Sequence, residues 1–493
     1  MINKAERKVL IFEDSTEENK SEVIENIFRI DKNEKILCIG DVQSGKTSKM
    51  IQIIKASINK GYKATIIFGG STKILIEQTT KRLKKEFQNN RNFYIYQIIN
   101  EESSDEIHGD LRGKDTHLIF VLIKSKNVDE NLKKLLNIFR NHFTLQKGII
   151  FMDDECDSYS LLFKNETKLE SEENLNEKTI ASKINNFFNA LKENPDVRTK
   201  YLSITATPFD NIQFNQENKY DRSVIFKTDK QYTGNEYFLE KKNFYLAINS
   251  SYKNPDSWGD IIKKAFDCWI CDTFRLLSKP ENIEKIKLLE KENKWNAKTE
   301  IEKLTHSEFV ININVKKPTH EKCRDILFET IADAFSPLNI TKYIEENNFI
   351  SSEFQNFISN LKNNLCVYLV NSNPYRFAYT NNGFKEEKNI EYVSGECLFQ
   401  ILIGGNKISR GLTINNLITE IMLSAPDGES ECDTLLQKSR WFGYRMLTAN
   451  YMHVFTNENI KEKYKKAQEC LDFIHKNGND IEKLIAKKGD WKI

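Results

Sequence analysis

Residues 35–48 read KILCIGDVQSGKTS, a short apolar run, Ile36–Ile39, that stops abruptly at Gly40-Asp41-Val42-Gln43-Ser44-Gly45-Lys46-Thr47. The pattern G-x-x-x-x-G-K-[ST] is that of a phosphate-binding loop. Its glycines let the backbone wrap an anion, so that successive N–H groups and the N-terminus of the following helix point at a β-phosphate. In such a loop Lys46 reaches the β- and γ-phosphates and Thr47 a Mg²⁺ ion, while Gly40, Ser44, Gly45 and Ser48 complete the cradle. An ordinary glycine turn is the alternative reading. It leaves the context unexplained, because a strand precedes the loop and an amphipathic helix follows, with Met50, Ile51, Ile53, Ile54 and Ile58 at core spacing.

Further strands stand on either side of an acidic segment. Lys63–Phe68 (KATIIF), His117–Ile123 (HLIFVLI), Gly148–Met152 and Tyr201–Ile204 are continuous apolar runs separated by helical stretches, including one around Leu75–Phe87. Strands of that kind belong to a parallel sheet covered on both faces. Polar signatures at their C-terminal ends then line one edge, where such sheets bind ligands. Upstream, Glu22–Ile30 is a short amphipathic helix. Downstream, β character returns at Glu308–Val315, Cys366–Val370, Leu398–Ile403, Ile418–Leu423 and Tyr451–Phe455, with helices at Glu321–Phe335 and Pro337–Leu361. The expected fold is α/β, two tandem RecA-like parallel-sheet lobes with a helical insertion or middle region. The expected divisions are an N-terminal extension at 1–34, a first lobe at 35–225, a middle region at 226–305, a second lobe at 306–460 and a helical tail at 461–493. Within the middle region, Ser278-Lys-Pro-Glu281 reads as a capping box.

Composition narrows the classes. The 493 residues, 39% hydrophobic and 11% aromatic, suit two to four globular domains. The 73 basic residues nearly cancel the 71 acidic ones, leaving +2, so no global field draws the chain to nucleic acid or membrane. Any such contact must come from a local patch. The nine Cys are scattered, and the single C-x-x-C, Cys268-Trp-Ile-Cys271, has no second pair to complete a zinc site; reduced core thiols in a cytoplasmic protein are expected. No apolar run reaches the length of a membrane span, and no N-terminal leader is apparent.

The chemistry gathers at strand ends. The fourth run leads into Asp153-Asp154-Glu155-Cys156-Asp157, where Asp154 would hold Mg²⁺ through water, Glu155 would polarise the attacking water and Asp157 completes D-E-x-D. The next strand ends in Thr205-Ala206-Thr207-Pro208, whose hydroxyls suit coupling to nucleotide state. Far downstream come Gly404–Ile414 (GGNKISRGLTI), which holds Arg410 and Gly411, and Gln437–Arg445 (QKSRWFGYR) on an expected helix. If the second lobe faces the first, Arg440 and Arg445 are placed to neutralise γ-phosphate charge across the cleft. The alternative is that these arginines form ion pairs while Trp441, Phe442 and Tyr444 fill a core. A literal match to the nuclease pattern PD…(D/E)xK exists at Pro195-Asp196 and Glu217-Asn218-Lys219. The strand between its halves is already committed to the sheet, so the two need not meet.

The ordered set GDVQSGKT, DECD, TATP, SRGLTI and QKSRWFGYR resembles the helicase-like ATPases of superfamily two. The phrases GGNKISRGLT and QKSRWFGYR resemble the Z-one domain family, bacterial and phage proteins often labelled putative endonucleases and associated with restriction and antiviral defence. The resemblance covers roughly residues 30–210 and 305–460. It implies ATP and Mg²⁺ as cofactors, Arg410 and Gly411 at the nucleotide, Gln437 with Asp157, Thr205 and Thr207 as coupling residues, and nucleic-acid backbone contacts at Gln78, Thr79, Lys124 and Asn127. Thr413 stands where such helicases usually carry Asp, and Ser439 where they usually carry Gly. Nucleotide hydrolysis tolerates both changes, and strand separation is left open. The function expected is an ATP-driven motor or remodeller on DNA, more than on RNA, working with partner proteins of a defence system. The alternatives are an ATP-controlled switch that licenses a partner nuclease, and an intrinsic endonuclease.

Overall fold

The computed structural model describes residues 17–29, 33–69, 73–88, 93–98, 117–124, 128, 130–135, 148–156, 180–192, 197–209, 220–228, 232–241, 244–247, 258–278, 306–313, 317–371, 373–405, 408, 412, 414–422, 432–445, 448–478, 480 and 483–484. Two sheets organise them. The first holds β1 (Glu34–Gly40), β2 (Tyr62–Phe68), β3 (Phe93–Ile98), β4 (His117–Leu122), β5 (Gly148–Asp154), β6 (Thr199–Thr205) and β7 (Arg222–Phe226), in the order β3-β4-β2-β5-β6-β1-β7. Every pairing in it is parallel. The continuous apolar runs follow from burial on both faces. Ile119 and Val121 of β4 join one core cluster with Ile53 and Ile54 of helix α2 (Lys46–Asn59), while Leu118, Phe120 and Leu122 join another with Phe187 and Phe188. Phe187 and Phe188 lie on α4 (Ile180–Lys192); α1 (Glu17–Phe28) and α3 (Lys73–Phe87) are further helices of this unit.

The second sheet is mixed. Its order is β12-β11-β10-β13-β9-β14-β15-β8, built from β8 (Tyr245–Ala247), β9 (Ser307–Asn312), β10 (Leu365–Val370), β11 (Tyr375–Thr380), β12 (Gly383–Lys388), β13 (Phe399–Gly404), β14 (Leu417–Met422) and β15 (His453–Thr456). The six strands from β10 to β8 pair in parallel, and β11 and β12 form an antiparallel hairpin at one edge. Helices of this unit among the described residues include α5 (Asn235–Glu240), α6 (Trp258–Leu277), α7 (Lys317–Ala334), α8 (Pro337–Asn347), α9 (Ser351–Asn363), α10 (Cys432–Gln437) and α11 (Glu458–Asn477). The fold is therefore α/β with two parallel-dominated sheets, as expected.

The strands β3, β7, β11 and β12 have no counterpart in the reading of the sequence, and three further features depart from it. The 226–305 span contributes β8 to the edge of the second sheet, beside β15, and α6 to its core, where Trp258, Trp269 and Phe309 share one cluster. These pieces are part of the second unit; the capping box at 278–281 falls largely outside the described residues. The helix expected over 337–361 is two, because Asn348 adopts the left-handed conformation (φ 52°) and caps α8, its backbone N–H returning to the last turn. The segment 438–445, expected to be helical, leaves the helix after Gln437 and makes an antiparallel bridge between Gly443 and Thr233.

One core cluster joins the two units. Leu37 and Ile39 of β1 and Phe209 pack in the same group as Val310, Tyr368 and Leu402 of the second sheet and Trp441. Alternate residues of β1 thus face opposite ways, Ile36 and Cys38 into the first unit's own core and Leu37 and Ile39 toward the second.

Candidate functional site

The phosphate-loop sequence sits at the C-terminal end of β1, at the junction of the units. Gly45 is left-handed at φ 77°, a conformation that glycine adopts without the Cβ penalty, and α2 begins at the next residue. The Lys46 ammonium donates to the carbonyl of Asp41 at 3.2 Å, so it lies over its own loop. Thr47 Oγ1 accepts from Arg82 at 3.4 Å.

Segments from the second unit rest on this loop. Gln43, itself at φ 57°, donates through Nε2 to the carbonyl of Arg440 at 3.4 Å. The Tyr444 hydroxyl donates to the carbonyl of Ser44 at 3.5 Å, and a Cβ placed on Gly443 would come within 3.5 Å of Gln43 Cβ. Gly443 is at φ 124°, where a side chain would be strained. The Tyr232 hydroxyl donates to the carbonyl of Val42 at 2.7 Å, while its neighbour Thr233 exchanges backbone hydrogen bonds with Gly443. Near the end of α11, His475 Nε2 lies 2.9 Å from Asp41 Oδ1, and the contact raises the His475 pKa. Of the aromatics between the arginines, Trp441 and Phe442 fill the shared core and Tyr444 reaches the loop.

The acidic strand end has a division of labour that its spelling does not reveal. Asp153 is fully buried; its Oδ1 lies 2.6 Å from Lys124 Nζ, and its Oδ2 accepts from the Tyr201 hydroxyl at 2.8 Å. Lys124 Nζ donates further to the carbonyls of Asp154, at 2.5 Å, and Glu155, at 3.0 Å. Burial works against its charge, but Asp153 more than compensates and raises its pKa, keeping it cationic. Asp154 is raised by burial, with the charges of Lys46 and Lys124 pulling the other way, so Lys46 and Asp154 share one electrostatic site. Glu155 stands at φ 51°, an uncommon conformation for a residue with a side chain, and its N–H donates to Asp154 Oδ1 at 3.1 Å.

These positions correct part of the nucleic-acid expectation. Lys124 was expected on a backbone-contacting loop; its side chain is 0% exposed and committed to one carboxylate and two carbonyls, so it cannot present a charge to a phosphate. Thr79 is buried too, facing inward on α3, and only Gln78 keeps partial exposure. Asn127, Asp157, Arg410 and Gly411 lie outside the described residues, as do Asp196, Glu217 and Lys219 of the nuclease-like match.

The two arginines differ. Arg445 is buried, donating through Nη1 to Asn415 O (2.6 Å) and through Nη2 to Ile414 O (2.6 Å) and Arg440 O (2.9 Å). Burial pulls its guanidinium down to about 10, against the charges of Glu308, Tyr392 and Glu420. It braces the segment after Gly404-Gly405, and in this geometry does not extend toward the loop. Arg440 donates to Leu412 O at 3.3 Å, and its carbonyl lies against Gln43. Glu308, which accepts from Tyr392, Ser394 and the Asn416 N–H, and Glu420, whose carboxyl burial pushes up to about 8, lie beneath them. Gln437 donates to Thr207 Oγ1 at 3.0 Å across the junction, and Thr205 Oγ1 in turn accepts from the Thr207 N–H. Two expected coupling residues are therefore in direct contact. Tyr232, Glu308 and Glu420 carried no signal in the sequence, since each depends on which strand ends meet.

Residues 262–488 match the family model of the Z1 domain, and residues 13–210 match that of the res subunit of Type III restriction enzymes. The C-terminal part of the chain is thus similar to the Z1 domain and the N-terminal part to the res subunit. Among solved structures, the chain is similar to the DUF1998 helicase MrfA bound to DNA, at 11% identity and TM-score 0.44 over 91% of this chain and 51% of MrfA. It thus spans about half the length of MrfA. It is also similar to S. cerevisiae Dbp5 bound to RNA and ADP BeF3, at 11% identity and TM-score 0.39 over 92% and 93% of the two chains. A further likeness is to the DEAD-box helicase Mss116 bound to ssRNA and UDP-BeF, at 11% identity and TM-score 0.42 over 94% and 82%. No curated protein matches the chain. Among the described residues, no helix is long and apolar enough to cross a membrane.

Proposed function

We propose that this chain is an ATP-hydrolysing, helicase-like motor that acts on DNA in restriction or antiviral defence. The observation that carries the reading is that the second unit's QKSRWFGYR segment lies directly on the phosphate loop of the first, through Arg440 O, Gly443 and Tyr444. A nucleotide held by that loop touches both units, so its hydrolysis can change their relation.

The residues present fit Mg²⁺-ATP. The left-handed Gly45 opens a helix N-terminus, an ammonium lies over the loop, and a half-buried carboxylate shares its electrostatic site with that ammonium. Gly40, Ser44, Gly45, Lys46, Thr47 and Ser48 would cradle the phosphates; Thr47 and Asp154 would hold the metal, which when bound neutralises phosphate charge. Glu155 would orient water, and Arg440, whose carbonyl lies against Gln43 of the loop, would answer developing charge. Arg410 and Gly411 complete the set proposed at the nucleotide.

A second reading, an ATP-controlled switch that licenses a partner, is favoured by the burial of Lys124 and Thr79, which removes two expected backbone contacts. Steady-state ATP turnover of the wild type and Lys46→Ala, with and without single- and double-stranded DNA or RNA, tests both. Lys46→Ala should lose turnover while its melting curve is unchanged. Turnover within about twofold of wild type would overturn the assignment. Stimulation by DNA supports the motor, and its absence with every nucleic acid supports the switch.

A further inference from the structure

Away from the junction, three side chains from a helix and a distant strand converge in the second unit. Cys268 and Asp272 are four residues apart on α6 and share a face, and His453 opens β15 beside them. Cys268 Sγ donates to Asp272 Oδ2 at 3.3 Å, and His453 Nε2 lies 2.9 Å from the same oxygen. The sulfur, ring nitrogen and carboxylate oxygen all fall within 4.8 Å of one another. Asp272 is buried, and Arg275 donates to its other oxygen, Oδ1, at 2.9 Å.

We propose that Cys268, Asp272 and His453 form a zinc site. The donor set decides the metal: thiolate, imidazole and a single carboxylate oxygen suit Zn²⁺, whereas Mg²⁺ and Ca²⁺ take oxygen ligands. The spacing fits as well. With ligand bonds of about 2.0–2.3 Å, tetrahedral coordination separates neighbouring donor atoms by about 3.3–3.6 Å. The observed 2.9 and 3.3 Å need to open by only a few tenths of an ångström, and the Cys268–His453 separation, within 4.8 Å, is brought to the same range by side-chain rotation. Arg275 plays the outer role that such sites require, holding the second carboxylate oxygen so that Oδ2 stays aimed at the ion. Cys268 and Asp272 also line a cleft of about 250 Å³ between α6 and α8, which provides an entry path and room for a water as fourth ligand. Loading Zn²⁺ forms the Zn–S bond and releases the Cys268 thiol proton to solvent. The C-x-x-C pair needs no second pair: His453 and Asp272 supply what the sequence spacing lacked, and Cys271 stands outside the trio.

The test uses the purified full-length chain, stripped with a chelator and dialysed against Zn²⁺ or Co²⁺. One equivalent of zinc should bind, and the Co²⁺ form should show a thiolate-to-cobalt charge-transfer band. Cys268→Ser and His453→Gln should each weaken zinc affinity by about a hundredfold or more, while Cys271→Ser and Lys46→Ala leave it unchanged. Absence of zinc from the wild type, or equal zinc in both ligand variants, would overturn the proposal. If the variants do not fold, the wild-type cobalt spectrum decides, since a spectrum without thiolate ligation refutes the site.

Discussion

Replacing Lys124 by Met separates two incompatible roles for that residue. The substitution keeps a chain of similar length and apolarity and deletes only the ammonium. In the structure that ammonium is fully buried, 2.6 Å from Asp153 Oδ1 and donating to the carbonyls of Asp154 and Glu155. Removing it leaves the Asp153 carboxylate buried with its charge uncompensated, a change worth about 3–5 kcal/mol. Two carbonyls also lose a donor, and the left-handed turn at Glu155 loses the contact that holds it. For a unit of this size each kcal/mol moves the transition by about 2–4 °C, so the first unit should melt about 6–20 °C lower. Turnover should fall with it, because Glu155 is no longer held. Adding Asp153→Asn should recover about 0.5–3 kcal/mol of the loss, as expected for residues in direct contact. A surface lysine that touches nucleic acid would behave differently: stability would stay unchanged, and the salt dependence of binding would weaken by about one unit of slope. Urea titrations of the two variants, alongside salt-dependent DNA binding, distinguish these outcomes. A Lys124→Met chain with wild-type stability and a reduced salt slope would refute the argument.

Arg445→Ala should both destabilise the second unit, by about 2–4 kcal/mol from the carbonyls of Ile414, Asn415 and Arg440 left without their charged donor, and lower turnover. Arg440→Ala should lower turnover with less change in the melt; denaturation and ATPase assays on the pair read the difference. Glu420 yields a pH prediction. Burial pushes its carboxyl up to about 8 in the folded chain, so between the unfolded value near 4.5 and 8 the native state holds a proton that the unfolded state has lost. Its contribution to stability is present at low pH and is lost as pH rises through that window. Glu420→Gln should flatten this part of the curve of stability against pH, and an unchanged curve would show that the group titrates normally.

The first unit was legible because its strands are covered on both sides, which leaves a spelling of unbroken apolar runs ended by polar signatures. The four runs at 36–39, 63–68, 117–123 and 148–152 each became a strand within two residues of either end. Among the strands that escaped, the hairpin of the second sheet lacks that burial. Gly383–Lys388 is an edge strand with no buried residue, and Tyr375–Thr380 beside it buries only Phe377, so neither shows a long apolar run. Tyr245–Ala247 is a three-residue edge strand, too short for periodicity to register. The span 337–361 reads as one helix because its apolar spacing continues across Asn348, where only the backbone's left-handed turn marks the break.

The functional positions divide along a different line. Spelling identifies residues whose role is local: Gly45 needs its own φ, and Lys46 needs only the loop in which it stands. It fails where the role depends on which partner a side chain meets. Lys124 and Gln78 follow apolar strands in the same way on the page, yet sheet order carries Lys124 across β2 to the end of β5, where a buried aspartate awaits it. Arg440 and Arg445 are spelled alike within one motif, and the turn at Gly443 sends their side chains to different neighbours. Cations at strand ends are therefore the least readable part of this chain. Each has two physically sound uses, facing phosphate or compensating a buried acid, and the choice depends on whether a carboxylate or carbonyls converge on it. For Lys124 a carboxylate and two carbonyls converge, and for Arg445 three carbonyls, so the chemistry proposed above rests on Lys46, Glu155 and Arg440.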